Sequence, residues 1–335
     1  MKKALSILCT GALMVGFSTA AKSQDYKDVS VPATINVIVA YNAGGGTDIL
    51  VRTALPYFEA AIEELSGKST QMVVKNMPGA GGEVGWSALA RAPQDGSTIG
   101  VINLPAIAIV EAAREPTYAP WVETFAPIGV NVIDPNVVRI NDAKFGSLKE
   151  AIEAAKNEPG SVTVGADGPL SDDHLAVYAI EEATGAKFTF IPYAGGAPAN
   201  RAFLSQEVEM AMGNVTDLLQ TEDATVEAAI LAGERYELIP DVATFKEMTG
   251  LEVRTGGSTR GWATVAGIPD DLLELYREAF AIASENPDYK AEATTRKLTL
   301  VAPKVGDEFG TIMTDTQDSV QNLLKYFKQG GYLDQ

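Results

Sequence analysis

Cysteine and histidine are almost missing from this 335-residue chain, which has one of each, Cys9 and His174. With so few soft ligands and nucleophiles, disulfide scaffolds, thiolate metal sites and cysteine catalysis are excluded once the N-terminus is set aside. Positive charge is also scarce, with 26 basic against 44 acidic residues and a net charge of −18. A chain so acidic repels nucleic acid and anionic lipid, although a local basic group can still hold a small anion. Long apolar runs are missing too. The one from Ala4 to Phe17 spans about 14 residues, short for a membrane helix.

That run is expected to be a secretory leader. Lys2 and Lys3 precede it, the small residues Ser18, Thr19, Ala20 and Ala21 follow it, and the three-part pattern is that of a signal peptide occupying 1–23. Cleavage after Ala20 or Ser23 removes Cys9. Losing Lys2 and Lys3 leaves 24 basic against 44 acidic residues, or −20. An exported, periplasmic protein is therefore expected.

The remainder alternates strand and helix. Strands are expected over 34–41, 70–75, 98–103, 161–166, 187–193, 207–213, 226–232 and 298–302. Helices are expected from 47 to about 65, with a kink at Pro56, and near 84–91, 147–156, 172–184, 269–284 and 306–328. This alternation predicts an α/β fold with mainly parallel pairing. No low-complexity linker interrupts it, so two domains would be joined by a chain that crosses more than once. Those crossings are expected near Ala126–Val130 and Val253–Trp262.

Glycine-rich loops recur where strands give way to helices, at 42–48, 78–85 and 194–199, with a related loop at 166–172. Glycine allows unusual backbone angles and close approach of a ligand, and a helix N-terminus presents free N–H groups to anions. One such loop can be plain βα geometry, but several at equivalent strand ends predict a shared cleft. Nucleotide readings fail. The third glycine of a GxGxxG pattern would fall at Ile49, the second strand ends in Lys75-Asn76 instead of an acid, and no GxxxxGK[ST] occurs. Catalytic readings are poorly supported as well. A Ser-His-Asp site would have to use His174, and no GxSxG elbow exists. Asp172, Asp173 and His174 are consecutive and diverge on a helix, a poor metal site. Asp48 and Arg52 suit an i,i+4 ion pair, or Asp48 braces the glycine loop. Ser171 suits an N-cap. Trp86, Trp121 and Trp262 are expected in the core.

Over roughly 30–330 the chain resembles the Bug, or TctC-like, periplasmic receptors of tripartite tricarboxylate transporters. The resemblance rests on an ordered set of motifs: Ala40-Tyr41-Asn42-Ala43-Gly44-Gly45-Gly46-Thr47-Asp48, Asn76-Met77-Pro78-Gly79-Ala80-Gly81-Gly82, Asp95-Gly96-Ser97-Thr98, His174-Leu175, Pro192-Tyr193-Ala194-Gly195-Gly196-Ala197-Pro198-Ala199 and Pro240-Asp241-Val242-Ala243-Thr244. It implies a type II periplasmic-binding fold, α/β throughout, with two lobes joined by two crossing hinge strands. Lobe 1 is expected to take 24–127 plus 256–335 and lobe 2 to take 128–255, with the ligand between them. In such receptors a ligand carboxylate is held by backbone N–H groups, hydroxyls and bridging water.

The candidate ligand-binding set follows from these loops. On lobe 1 it is Tyr41, Asn42, Gly44, Gly45, Gly46, Thr47 and Asp48, then Gly81 and Gly82, then Asn103, Pro105 and Ala106. On lobe 2 it is Asp167, Ser171 and Asp172, then Tyr193, Gly195 and Ala197, then Asn214 and Asp217. Three residues depart from the family pattern: Asn42 replaces a common proline, Met77 an arginine and Ala194 a lysine. With two positive charges gone, a mono- or dicarboxylate is favoured over citrate. No cofactor, metal or nucleic acid is expected, and the chain should be a monomer that partners membrane permease subunits. The alternatives are a periplasmic sensor subunit or, in another class, an exported hydrolase or lyase.

Overall fold

The computed structural model describes residues 25–253, 255 and 257–329, so the expected leader and Cys9 lie outside the described residues. Among those residues the strands form two sheets. The first contains β1 (Thr34–Val39), β2 (Gln71–Asn76), β3 (Thr98–Leu104), β4 (Phe125–Asp134), β10 (Ser258–Val265) and β11 (Leu300–Val305), in the order β11-β4-β10-β3-β1-β2. The second contains β5 (Asn136–Ile140), β6 (Thr163–Asp167), β7 (Thr189–Tyr193), β8 (Met210–Asn214) and β9 (Glu227–Ile230), in the order β7-β6-β8-β5-β9. The helices are α1 (Gly46–Ser66), α2 (Glu83–Ala90), α3 (Ala106–Arg114), α4 (Trp121–Thr124), α5 (Leu148–Asn157), α6 (Asp172–Thr184), α7 (Gly196–Leu204), α8 (Val215–Gln220), α9 (Phe245–Thr249), α10 (Asp270–Glu285), α11 (Pro287–Thr295) and α12 (Asp307–Gln329).

Pairing is mixed, not mainly parallel. β1 runs parallel to β2 and β3, and β6 to β7 and β8. By contrast, β10 is antiparallel to β3 and β4, β11 to β4, and β5 to β8 and β9. The antiparallel pairs all involve the strands that carry the chain between sheets. β4 and β5 are separated only by Pro135, with no helix to make a parallel crossover. The first crossing therefore falls at Pro135, beyond the expected 126–130. β4 stays in the first sheet because Ile128, Val130 and Val132 remain fully buried in its core.

Helix α1 runs unbroken through Pro56, where a kink was expected. Pro56 is exposed, so the carbonyl it leaves unbonded faces water. Leu50, Val51, Ala54, Leu55, Phe58 and Ile62 are buried against the first sheet as their spacing predicts. The helix stops at Gly67, whose φ of 69° lets its N–H reach the Glu63 carbonyl. All three tryptophans are fully buried.

The two sheets also share an apolar seam. Leu170 and Leu175, at the head of α6, are buried in one cluster with Ile38, Ala40, Trp86 and Phe309. Helix α12 contributes Phe309, Met313 and Val320 to that cluster. This contact brings the ends of β1 and β6 close together.

Candidate functional site

The loop after β1 is braced from within. The carboxylate of Asp48 accepts from the Gly44 N–H at 2.9 Å, from Arg52 Nε at 3.0 Å and from Asn76 Nδ2 at 3.0 Å. Asn76 also donates to the Tyr41 carbonyl at 3.1 Å. Burial alone would raise the Asp48 carboxyl, but the bonds from Arg52, Gly44 and Asn76 prevail and hold it below its ordinary value. Both readings of Asp48, ion pair and loop brace, are thus realised together. Gly44 takes a φ of 82° to complete the turn, with open space where a Cβ would be. Asn42 is exposed and Tyr41 half-buried. At the end of β3, Asn103 Nδ2 donates to Thr47 Oγ1 at 3.0 Å, and Pro105 and Ala106 open α3.

Gly46 is close-packed on a residue that sequence reasoning missed. A Cβ there would lie 3.1–3.4 Å from the guanidinium of Arg260. Arg260 is 7% exposed and stands opposite Asn103 across β10 and β3, which puts the two side chains on one face of the sheet. Its Nη2 lies 3.4 Å from Asp134 Oδ2. Its Nε and Nη1 have no protein partner, nor has Asn103 Oδ1. Buried donors without partners are rare in native proteins, and these sit at the positive end of α1. The signal in the sequence was a lone arginine within Ser258–Val265, a run that is buried throughout.

The second-sheet loops are acidic. Asp172 Oδ2 accepts from Asn136 Nδ2 at 2.9 Å and Asn214 Nδ2 at 3.1 Å, and Asp173 Oδ1 accepts from Asn136 Nδ2 at 3.0 Å. Asp167 Oδ1 accepts from the Gly168 N–H at 2.6 Å. Burial raises Asp172, and it raises Asp173 further with help from the charges of Asp172, Asp217 and Asp167. Burial lifts Asp167 to about 6, although the Gly168 N–H opposes it and the Asp172 and Asp217 charges add to it. Asp134, fully buried, is likewise lifted to about 6 by burial despite Arg260. Burial drives the Tyr41 hydroxyl well above its ordinary value, and the charges of Asp167 and Asp172 drive it further. Tyr41 on the first-sheet side therefore lies within electrostatic reach of the second-sheet loop.

The remaining candidates divide. Ser171 caps α6, accepting from the His174 N–H at 3.1 Å. Asp217 accepts from the Asn214 N–H at 2.9 Å and from Asn200 Nδ2 at 2.8 Å, inside its own lobe. Gly195 takes a φ of 111° ahead of α7, and Ala197 is exposed. The Tyr193 hydroxyl donates to Glu207 at 2.9 Å. Gly82 serves packing, since a Cβ there would meet the Trp86 ring at 2.5 Å, and Gly81 holds a φ of 70° in the same turn. Met77 packs on the apolar seam. His174 is fully buried, stacked on Phe190 at 4.1 Å, and its Nδ1 accepts from the Leu170 N–H at 3.2 Å. Burial depresses it to about 4, so it is a neutral core residue near pH 7. Among the described residues no group of three or more metal-ligating side chains is arranged to hold an ion.

The model of the tripartite tricarboxylate transporter family receptor matches residues 58–326, well over half of the chain. The chain belongs to that family. Its relatives include BugT of Bordetella pertussis, 29% identical over 218 residues, which are 64% of this chain and 65% of BugT. A TctC solute-binding protein from Polaromonas, solved without ligand, is 27% identical with a TM-score of 0.66, covering 87% of this chain and 98% of that one. MatC from Rhodopseudomonas palustris, solved with bound malate, shares the fold at 19% identity and a TM-score of 0.74, over 88% of this chain and 99% of MatC. Receptors of this family are solute-binding proteins and not enzymes, and their architecture is the two-lobed α/β fold found here.

Proposed function

We propose that this receptor captures a small organic carboxylate in the periplasm and passes it to the permease subunits of a tripartite tricarboxylate transporter. The observation that carries this reading is the Arg260 guanidinium. It is buried, it has two nitrogens without partners, and it lies against the first turn of α1 beside Asn103. A carboxylate seated there would take up those donors and meet the helix N-terminus, both favourable to an anion. The malate in MatC supports the class of ligand. One lobe would be built on each sheet, and the lobes would close when a ligand touches both. A single strong cation favours a mono- or dicarboxylate over citrate.

The test is a thermal-shift screen of organic acids on the purified mature chain, followed by calorimetry and recovery of the ligand. A ligand at 100 times its dissociation constant should add about 2.7 kcal/mol, and it should be recovered unchanged. Failure of every small carboxylate to bind would overturn the reading, and so would protein-dependent conversion.

A further inference from the structure

The two sides of the site offer opposite kinds of group, unpartnered cationic donors on one and acids without an ion pair on the other. On the first-sheet side the free donors belong to Arg260, beside Gly46. On the second-sheet side Asp167, Asp172 and Asp173 make no ion pair among the described residues; their bonds come from asparagine amides and backbone N–H groups. Arg139, the other buried cation nearby, donates to Thr221 and Asn200, packs over Phe203 at 5.1 Å, and acts by its charge on Asp217 and Asp173, leaving Asp167 and Asp172 as the acids to be answered. Asn214 Nδ2 donates both to Asp172 Oδ2 at 3.1 Å and to the Asp134 carbonyl at 3.0 Å, Asp134 Oδ2 lies 3.4 Å from Arg260 Nη2, and the Asp167 N–H donates to Asp173 Oδ2 at 3.4 Å, so these acids flank the same space as Arg260.

A plain dicarboxylate would be drawn to Arg260 at one end and repelled at the other. Like charges set together in a partly desolvated site disfavour binding strongly. From this juxtaposition we infer that the ligand carries a carboxylate at the Arg260 end and a cationic nitrogen at the Asp167–Asp172 end: an aminocarboxylate, not a dicarboxylate. The inference rests on the carboxylate reading above and narrows it. Such a ligand supplies the charge that each side lacks. It also gives closure a cause, because only a molecule touching both sides gains from the closed state. The pairing comes from Arg260, from Asp167 at the end of β6 and from Asp172 at the start of α6.

The test uses the mature chain at pH 7.5 and carbon-spacing-matched sets of four compounds: the aminocarboxylate, the monocarboxylate without the amine, the dicarboxylate, and the amine without the carboxylate. Calorimetry should show the aminocarboxylate of the best spacing binding at least about tenfold tighter than its three counterparts. Asp172→Asn keeps an acceptor for Asn136 and Asn214 but loses the charge. It should lower aminocarboxylate affinity by about tenfold or more and leave the monocarboxylate unchanged. Asp167→Asn repeats the test at an independent position should the first variant fold poorly. If the dicarboxylate or monocarboxylate binds tightest, the inference is overturned and the carboxylate receptor stands. If no carboxylate binds, both fall. If the folded Asp→Asn variants weaken all compounds equally, the aspartates act on the frame and the inference is overturned.

Discussion

The first-sheet loops and the second-sheet loops use the same residue type in opposite ways. Asp48 is almost fully buried, yet its charge is answered by Arg52, Asn76 and the Gly44 N–H, and its carboxyl is held below the ordinary range. Asp167 and Asp172, half-buried at the second sheet, are pushed the other way. A carboxylate whose partners are all supplied by its own loop is holding that loop. One left without a cation is available to something that comes from outside. The first side is a finished cradle with one cation that keeps two unpartnered nitrogens, and the second is a set of hydrogen-bonded acids without an ion pair among the described residues.

The contrast breaks most sharply at the buried pair of Arg260 and Asp134. Arg260→Met removes the cation and leaves the buried Asp134 carboxylate with the Thr216 N–H but without its counter-charge. The expected cost is about 3–5 kcal/mol of stability at pH 7.5, read by urea unfolding, together with loss of carboxylate binding. Adding Asp134→Asn should restore most of the stability and none of the binding. If the double variant binds as the parent does, Arg260 is a structural cation and the site lies elsewhere.

Two glycines separate cradle from frame. Gly82→Ala places a Cβ 2.5 Å from the Trp86 ring at a φ of 105°, and should cost roughly 2–4 kcal/mol. Gly46→Ala meets only the Arg260 guanidinium at 3.1–3.4 Å. Its helical backbone is unstrained, so stability should change by less than about 1 kcal/mol. Displacing the guanidinium should still weaken binding by about tenfold. Equal affinity in Gly46→Ala and the parent would remove Arg260 from contact with the ligand.

How much of this was legible beforehand follows from the physics of each element. The strands and helices at 34–41, 47–65 and 172–184 show themselves through apolar spacing and caps, which are local properties. β4, β5 and β10 do not, because they carry the chain between sheets and their pairing depends on distant partners. Arg260 was hidden for the same reason, since nothing near it in sequence reveals that Gly46 and Asn103 will pack beside it. The glycine loops were visible as a group, but their division of labour was not. Gly82 answers to Trp86 and Gly46 to Arg260, and both partners are contacts of the folded chain.

The acidic side should respond to pH with a definite sign. Asp167 sits near 6 in the folded chain against an ordinary 3.8, so the charged form is disfavoured by folding. Its contribution to stability is full below about pH 4 and is lost as pH rises through about 6. Asp167→Asn should therefore stabilise the ligand-free protein at pH 7.5 by about 1–2 kcal/mol, allowing for partial exposure. The gain should vanish by about pH 4. His174 runs opposite within the same window. Being depressed to about 4, it loses stability as pH falls from its ordinary value, so the comparison must be made between variants and not on the parent's curve alone. A constant gain at both pH values would mean that Asp167 is strained and not uncompensated.

The smallest effect expected is at Tyr193, and it sharpens the boundary of the acidic side. Its hydroxyl donates to Glu207, and burial together with that carboxylate pushes it up to about 12. Its ring covers Gly165, where a Cβ would meet Cε2 at 3.1 Å, so both ends of the side chain are engaged within the second lobe. Tyr193→Phe keeps the ring and removes one exposed hydrogen bond, which should change stability by no more than about 0.5 kcal/mol. Affinities for the matched compounds should keep their order, whereas Asp172→Asn should reorder them. The pair of measurements asks which part of the second-sheet loops reads the ligand, its charge or its tyrosine. A reordered ranking in Tyr193→Phe, with Asp172→Asn silent, would move selectivity from the head of α6 to the loop after β7 and leave the acids of the second sheet without a ligand to answer them.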